Sequence, residues 1–236
     1  KKGLNTKIMT IMADPSAAQQ FSHYPNDGIG LARMEFVLNR GVQFHPLLAI
    51  HPKKVSQLPA LQKKALKELT AGYKSLADFF VAKVTDGVAQ LAASVYPNPV
   101  IVRFSDFRSN EYSGLIGGTM FEPHEENPMI GYRGASRYYS DLYREAFKLE
   151  CLAIKAARKM GYTNIKVMVP FCRTPLEAQK VTEIIRSCGL ATKAEGCEIY
   201  CMVEIPSNVI LLEKFAEFFD GFSIGSNDLT QLTLGL

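Results

Sequence analysis

Residues 218–236 read FFDGFSIGSNDLTQLTLGL. An apolar run from Phe218 to Ile224 gives way at Gly225-Ser226 to Asn227 and Asp228. A buried strand that ends on an amide and a carboxylate carries its polar groups at its C-terminal tip. That is the end at which parallel α/β proteins hold ligands. The pattern repeats upstream. Short apolar runs occur at 7–13 (KIMTIMA), 29–34 (IGLARM), 100–106 (VIVRFSD), 129–134 (MIGYRG), 165–171 (IKVMVPF), 198–205 (EIYCMVEI) and 221–226 (GFSIGS). Seven strands are predicted, most of them apolar throughout, as strands buried on both faces are.

Helical patterns separate these runs. In SDLYREAFKLECLAIKAARKMGY (140–162), Leu142, Ala146, Leu149, Ala153, Ala156 and Met160 recur at helical spacing, and Gly161 marks the end. TPLEAQKVTEIIRSCGL (174–190) offers Thr174 as N-cap, Pro175 at N1, Glu177 at N3 and Gly189 as the stop. SNVILLEKFAEFF (207–219) predicts a third helix, capped by Ser207 or Asn208. Residues 56–95 predict a pair of helices inserted after the second strand, ended by Pro97 and Pro99. No linker, repeat or low-complexity segment interrupts the chain, so one domain over 1–236 is expected.

Alternating strands and helices imply a parallel sheet with right-handed crossovers. An open doubly wound sheet and a closed barrel both fit. The strand tips separate them. Arg33, Arg103 to Asp106, Arg133, Glu204 and Asn227 with Asp228 all follow apolar runs. A barrel gathers such ends at one mouth, whereas an open sheet spreads them along an edge. A TIM-type (β/α)8 barrel is therefore expected, with one strand fewer than that fold requires.

The chain is 47% apolar and 21% charged, ordinary for a globular protein. Its net charge of +4 suits a small anionic ligand or a solvated basic surface equally. No basic run with interleaved aromatics points to nucleic acid, and no stretch of about 18 apolar residues points to a membrane span. The start is too short and polar for a signal peptide. Five cysteines, an odd number with no CxxC, read as reduced thiols of a cytoplasmic protein. Cys197 and Cys201 share strand parity and read as core packing.

Glu204 and Asp228 stand at apolar strand tips, where a carboxylate needs a positive partner. They could form a Mg²⁺ site, since that ion takes oxygen ligands, or pair with arginines. Arg33, Arg103 and Arg133 exceed what those two carboxylates neutralise, and the surplus suggests a phosphate or carboxylate ligand. The alternative for each is an ion pair with Asp106, Glu111 or Glu122. The GxG of DGIGLAR lacks the third glycine of a dinucleotide fingerprint. His23, His45, His51 and His124 show no metal-ligand spacing, and His45 and His51, each before proline, read as loop residues.

GIGLARMEF, VIVRFSDFRSNEY, FEPHEENPMIGYRGASRY, IKVMVPF, CMVEIPSN and FDGFSIGSNDLTQLTLGL together resemble the PEP-utilising barrel domain. Phosphoenolpyruvate synthase, pyruvate phosphate dikinase and enzyme I of the sugar phosphotransferase system share that domain. SNEY and EPHEENPMIGYRGASRY are most similar to the first branch; the other two remain alternatives. The resemblance implies that Arg33, Arg103 and Arg133 grip the phosphoryl and carboxylate groups of phosphoenolpyruvate. It implies that Glu204 and Asp228 hold Mg²⁺ (Mn²⁺ is not distinguished) and that Gly225, Ser226 and Asn227 contact the pyruvyl group. It implies a parent phosphotransferase of gluconeogenesis that converts ATP, pyruvate and water to AMP, phosphoenolpyruvate and phosphate. ATP and a phosphohistidine would reside on domains outside this chain, and pairing through the barrel into a homodimer is expected. The family's eighth strand, with its proton-handling cysteine, has no counterpart here; Cys188-Gly189 lies at a helix end instead. A C-terminally truncated barrel with no catalytic residue of its own and no turnover alone is therefore expected. A reading of another class is a non-catalytic assembly module.

Overall fold

The computed structural model describes residues 5–191 and 196–236. Six strands form one sheet: β1 (Thr10–Met12), β2 (Ile29–Arg33), β3 (Val100–Arg103), β4 (Ile165–Val169), β5 (Ile199–Val203) and β6 (Gly221–Ile224). Each pairs in parallel only with its sequence neighbours, in the order β1-β2-β3-β4-β5-β6. In a flat sheet the outer strands would lie about 24 Å apart. Yet Ile11 of β1 and Ser223 and Ile224 of β6 line the same cavity. The sheet therefore curls into a half-barrel of the α/β TIM type, with β3 and β4 almost wholly buried at its centre.

Seven strands were expected, and 129–134 is not one of them among the described residues. Gly131 and Gly134 flank Tyr132 and Arg133, and the segment turns instead of extending. Its polar backbone is satisfied by side chains rather than by a neighbouring strand. The Tyr132 amide donates to Glu125 Oε1 at 2.8 Å. Arg173 donates to the carbonyls of Ile130 and Gly131 at 2.9 and 2.5 Å. Gly134, at φ +61°, lies so close that a Cβ would stand 2.6 Å from Phe171 Cβ and 2.7 Å from the Pro170 carbonyl oxygen.

The main helices before β5 are α1 (Pro15–Phe21), α2 (Ala60–Leu69), α3 (Leu76–Val95), α4 (Arg144–Lys159) and α5 (Pro175–Ser187). The inserted pair, α2 and α3, lies between β2 and β3 as expected. The Ser75 side chain caps α3 by accepting from the Asp78 amide. The buried face of α3 carries Phe79, Phe80, Val84, Val88, Leu91 and Val95, and α3 packs between α1 and α4. Phe80 is fully buried; truncating such a residue to alanine costs about 3–5 kcal/mol. In α4 the buried stripe is Ala146, Phe147, Leu149, Glu150, Cys151, Ala153, Ile154 and Ala157. Ala146, Leu149 and Ala153 of the expected stripe lie on this face, whereas Leu142 and Met160 are exposed, because both lie outside the regular helix.

Thr174 caps α5 as expected, accepting from the Glu177 amide; such a cap contributes about 1 kcal/mol. The third predicted helix is broken at Leu211 into α6 (Pro206–Ile210) and α7 (Leu212–Phe215). Asn208 lies inside it rather than at its cap. Its Oδ1 accepts from the amides of Glu204 and Ile205, and its Nδ2 donates to the Cys172 carbonyl at 2.7 Å. Asn208 thus ties the tip of β5 to the segment after β4. The last helix is α8 (Ser226–Leu234). No described helix is long and apolar enough to cross a membrane, and all five cysteines are free.

Candidate functional site

A cavity of about 640 Å³ opens at the C-terminal ends of the strands. Arg33, Arg103, Arg133, Glu204, Gly225, Ser226, Asn227 and Asp228 all line it. Arg33 and Arg103 are the last residues of β2 and β3, paired in register. Glu204 follows the last residue of β5. Gly225 caps α8, and Ser226, Asn227 and Asp228 form its first turn. Arg133 reaches the same mouth from the 129–134 turn rather than from a strand tip.

The arginines are already engaged. Arg103 Nη2 donates to Glu35 Oε1 at 2.8 Å, and its Nη1 lies 3.5 Å from Asp106. Arg133 makes a two-pronged contact with Asp106 at 3.0 and 2.6 Å, and its Nη1 approaches Asp228 Oδ1 at 3.3 Å. Arg33 is 43% exposed and its Nε stands 3.8 Å from Glu35 Oε2. The expected surplus of arginines is thus overturned. Arg33, Arg103, Arg108 and Arg133 face Asp106, Glu111, Glu204, Asp228 and the buried Glu35. Glu122, one of the suggested partners, pairs elsewhere. Burial opposes charge on Arg103, but Glu35, Asp106 and Glu204 outweigh it and raise its pKa.

The carboxylates, not the arginines, are in excess, and the consequence falls on Glu204. Burial, then repulsion from Asp106, pushes its pKa up to about 8, against the pull of Arg103. The carboxyl is held by the Phe171 amide, which donates to Oε1 at 2.7 Å. Phe171 adopts a left-handed backbone, φ 46°, which aims that amide at β5. The guanidinium groups of Arg133 and Arg173 both stack on its ring, at 4.0 and 4.7 Å from the centroid. Gly225 passes so close to Glu204 that a Cβ would meet its Oε2 at 2.8 Å. Two buried atoms beside the cavity lack hydrogen-bond partners among the described residues: Glu35 Oε2 and Arg103 Nε.

No group of three metal-ligating side chains forms among the described residues. Glu204 and Asp228 offer a pair of carboxylates, which fits Mg²⁺, an ion that completes its shell with water and substrate oxygens.

A second ionic cluster lies away from the mouth. Arg137 grips Glu122 with two bonds, at 2.6 and 2.7 Å, and stacks on Tyr112 and Tyr132 at 4.4 and 4.2 Å. His45 sits in a loop as expected, but fully buried. Its Nδ1 accepts from the Leu47 amide, so Nε2 carries the proton toward Glu122 at 2.8 Å. Burial lowers its pKa, and the ring stays neutral.

Sequence reasoning missed Glu35, Phe171, Arg173 and Asn208 as supports of the site. Glu35 had a signal: it follows Arg33 by two residues in an otherwise apolar stretch, MEFV. The others act through backbone groups and leave no motif.

A parallel half-barrel whose strand ends collect guanidinium groups, carboxylates and a helix N-terminus around one cavity is an α/β domain of the TIM-barrel type with its polar groups at the C-terminal mouth. The comparisons are specific. The family of PEP-utilising enzymes, PEP-binding domain, matches residues 1–236, and the chain belongs to it. It is 52% identical over 235 residues to the phosphoenolpyruvate synthase of Helicobacter pylori, covering 98% of this chain and 28% of that protein. Against the phosphoenolpyruvate synthase of Escherichia coli it is 49% identical, covering 99% and 29%. Against that of Aquifex aeolicus it is 46% identical, covering 98% and 32%. The chain spans about three tenths of the length of these curated relatives.

Proposed function

We propose that the mouth binds phosphoenolpyruvate and pyruvate in the reaction of a phosphoenolpyruvate synthase, in which ATP, pyruvate and water give AMP, phosphoenolpyruvate and phosphate. One observation carries this reading: Arg33, Arg103, Arg133, Glu204 and Asp228 surround a single cavity together with the N-terminus of α8. Arg33, the exposed arm, meets the phosphoryl group. Arg103 and Arg133, buried and locked by Glu35 and Asp106, present fixed charge to the ligand without reorganising, the arrangement that most effectively stabilises developing negative charge. The amides of Ser226, Asn227 and Asp228 open α8 without a side-chain cap and face the ligand's carboxylate. Mg²⁺ on Glu204 and Asp228 would act as a Lewis acid toward the oxygen that gains charge as pyruvate passes to its enolate. ATP and a phosphohistidine belong to parts of the longer protein, and the phosphoryl group reaches this mouth from there.

The test is calorimetric titration with phosphoenolpyruvate, with and without Mg²⁺, beside Asp228→Ala. Binding that requires Mg²⁺ and is lost in the variant is the expected outcome. A folded chain that binds equally well without Mg²⁺, or not at all, refutes the reading.

A further inference from the structure

Cys188 and Cys151 lie outside the mouth and take no part in the function proposed for it. Cys188 is the C-cap of α5 and is partly exposed. Cys151 is on the buried face of α4. One turn beyond Cys151, Lys155 donates from Nζ to the Cys188 carbonyl at 2.9 Å. Residues four apart share a helix face, so the face that carries Cys151 abuts the end of α5. The two thiols interact directly there, and Lys148 and Lys155 place positive charge beside Cys188. The chain holds a second pair, Cys172 and Cys201, whose thiols also interact. Both of those are buried, which makes them an internal control.

We propose that Cys151 and Cys188 form a peroxide-responsive dithiol site, with Cys188 as the attacking thiolate and Cys151 as the resolving thiol. The Cys188 sulfur attacks one oxygen of a hydroperoxide; the O–O bond breaks, the leaving group departs as hydroxide or alkoxide, and Cys188 becomes a sulfenic acid. The Cys151 thiol then attacks that sulfur, an S–S bond forms, and the hydroxyl leaves as water with the Cys151 proton. The hydroperoxide is reduced and two thiols are oxidised. Three features favour Cys188 as the first to react. It is the more accessible of the pair. The Cys151 thiol, then the Ser187 hydroxyl and the two lysines, draw its pKa down to about 7 against the effect of burial, so about half is thiolate at neutral pH. Cys151 is the opposite: burial drives its thiol well up, which suits a group that waits for an activated neighbour. A reductant thiol restores both. The disulfide pins α4 to the end of α5 remote from the mouth, so ligand binding there is not blocked.

The experiment is treatment of the native protein with hydrogen peroxide, blocking of free thiols and peptide mass mapping without reduction. The expected product joins Cys151 to Cys188, is lighter by a pair of hydrogens, and reverts with dithiothreitol. It is absent in Cys188→Ser. In Cys151→Ala, dimedone captures a sulfenic acid at Cys188. Earlier linkage of Cys172 to Cys201 overturns the proposal, as does oxidation of Cys188 to sulfinic acid with Cys151 unlinked. The mapping of the unaltered protein decides even where the alanine variant does not fold.

Discussion

Arg133 and Arg137 stand on the same short stretch of chain, both buried and both paired in two-pronged fashion with a carboxylate. Their settings differ. Around Arg137 the cluster is closed: Glu122 and His45 satisfy each other, and tyrosine rings cover the guanidinium. Around Arg133 the cluster is open to a cavity, carries more carboxylates than arginines, and leaves Glu35 Oε2 and Arg103 Nε without a hydrogen bond. Completed ionic clusters hold a fold together, because removing one partner strands the other. Incomplete ones hold a place for ligands. Buried arginine alone distinguishes nothing; the distinction lies in whether the charges and hydrogen bonds close without a guest.

The sharpest way to break this contrast is to remove one arginine from each cluster. Arg137→Ala strands Glu122 in the core and should cost about 3–5 kcal/mol in denaturant unfolding. Arg33→Ala, at the mouth, should cost under about 1 kcal/mol while weakening phosphoenolpyruvate binding. Equal stability losses would erase the difference between the clusters.

Next in size is Glu150, which joins the two regions. It accepts from the Ser105 hydroxyl and amide at 2.5 and 3.1 Å, beside Asp106. The Ser105 hydroxyl continues to Tyr112 and Tyr143 at 2.8 and 2.7 Å, the rings behind Arg137. Burial raises the Glu150 pKa from 4.5 to about 7. The folded state therefore binds a proton that the unfolded chain has lost. Stability from this group is complete below about pH 4.5 and is lost as pH rises to about 7. The loss is about 3 kcal/mol. Glu150→Gln should flatten this slope in unfolding curves taken from pH 4.5 to 8; an unchanged slope would refute the assignment.

A smaller effect of opposite sign is expected at the mouth. Glu204→Gln removes a carboxylate from a crowded set, and without divalent ions stability should stay level or rise by about 1 kcal/mol. The same variant should lose Mg²⁺-dependent ligand binding. A clear loss of stability would place Glu204 with the closed cluster instead. The smallest signal is protonic. Since Glu204 is held up to about 8, Mg²⁺ at pH 7 should displace a proton from it. Calorimetry in buffers of different ionisation enthalpy measures that release, and its absence would exclude Glu204 as a ligand.

The strand tips were legible because an apolar run that stops on a polar residue is a one-dimensional signal. Glu204 and Asp228 are read from their own neighbours. Arg133 was placed at the right mouth for the wrong reason: MIGY has the look of a strand, while its hydrogen bonds go to Glu125 and Arg173, and no local period encodes such partners. The charge balance misled for a similar reason. Glu35 meets Arg103 across 68 residues of sequence, and only folding shows that it neutralises the arginine the ligand was expected to need. Asn208 was expected at the N-cap and lies at N3, where its Oδ1 still takes the Ile205 amide; its second bond, from Nδ2 to the Cys172 carbonyl, is one that only tertiary structure supplies.

The strictly sequential strand order has a kinetic consequence. Each strand pairs with the one made just before it, and the outer helices pack in the same succession, α1 on α3, α3 on α4, α4 on α5. Among the described strands, none pairs with one that is not its sequence neighbour. Such a chain can add its units one after another as it leaves the ribosome, N-terminal edge first. Its loop-closure costs are met in small instalments rather than in one long-range search.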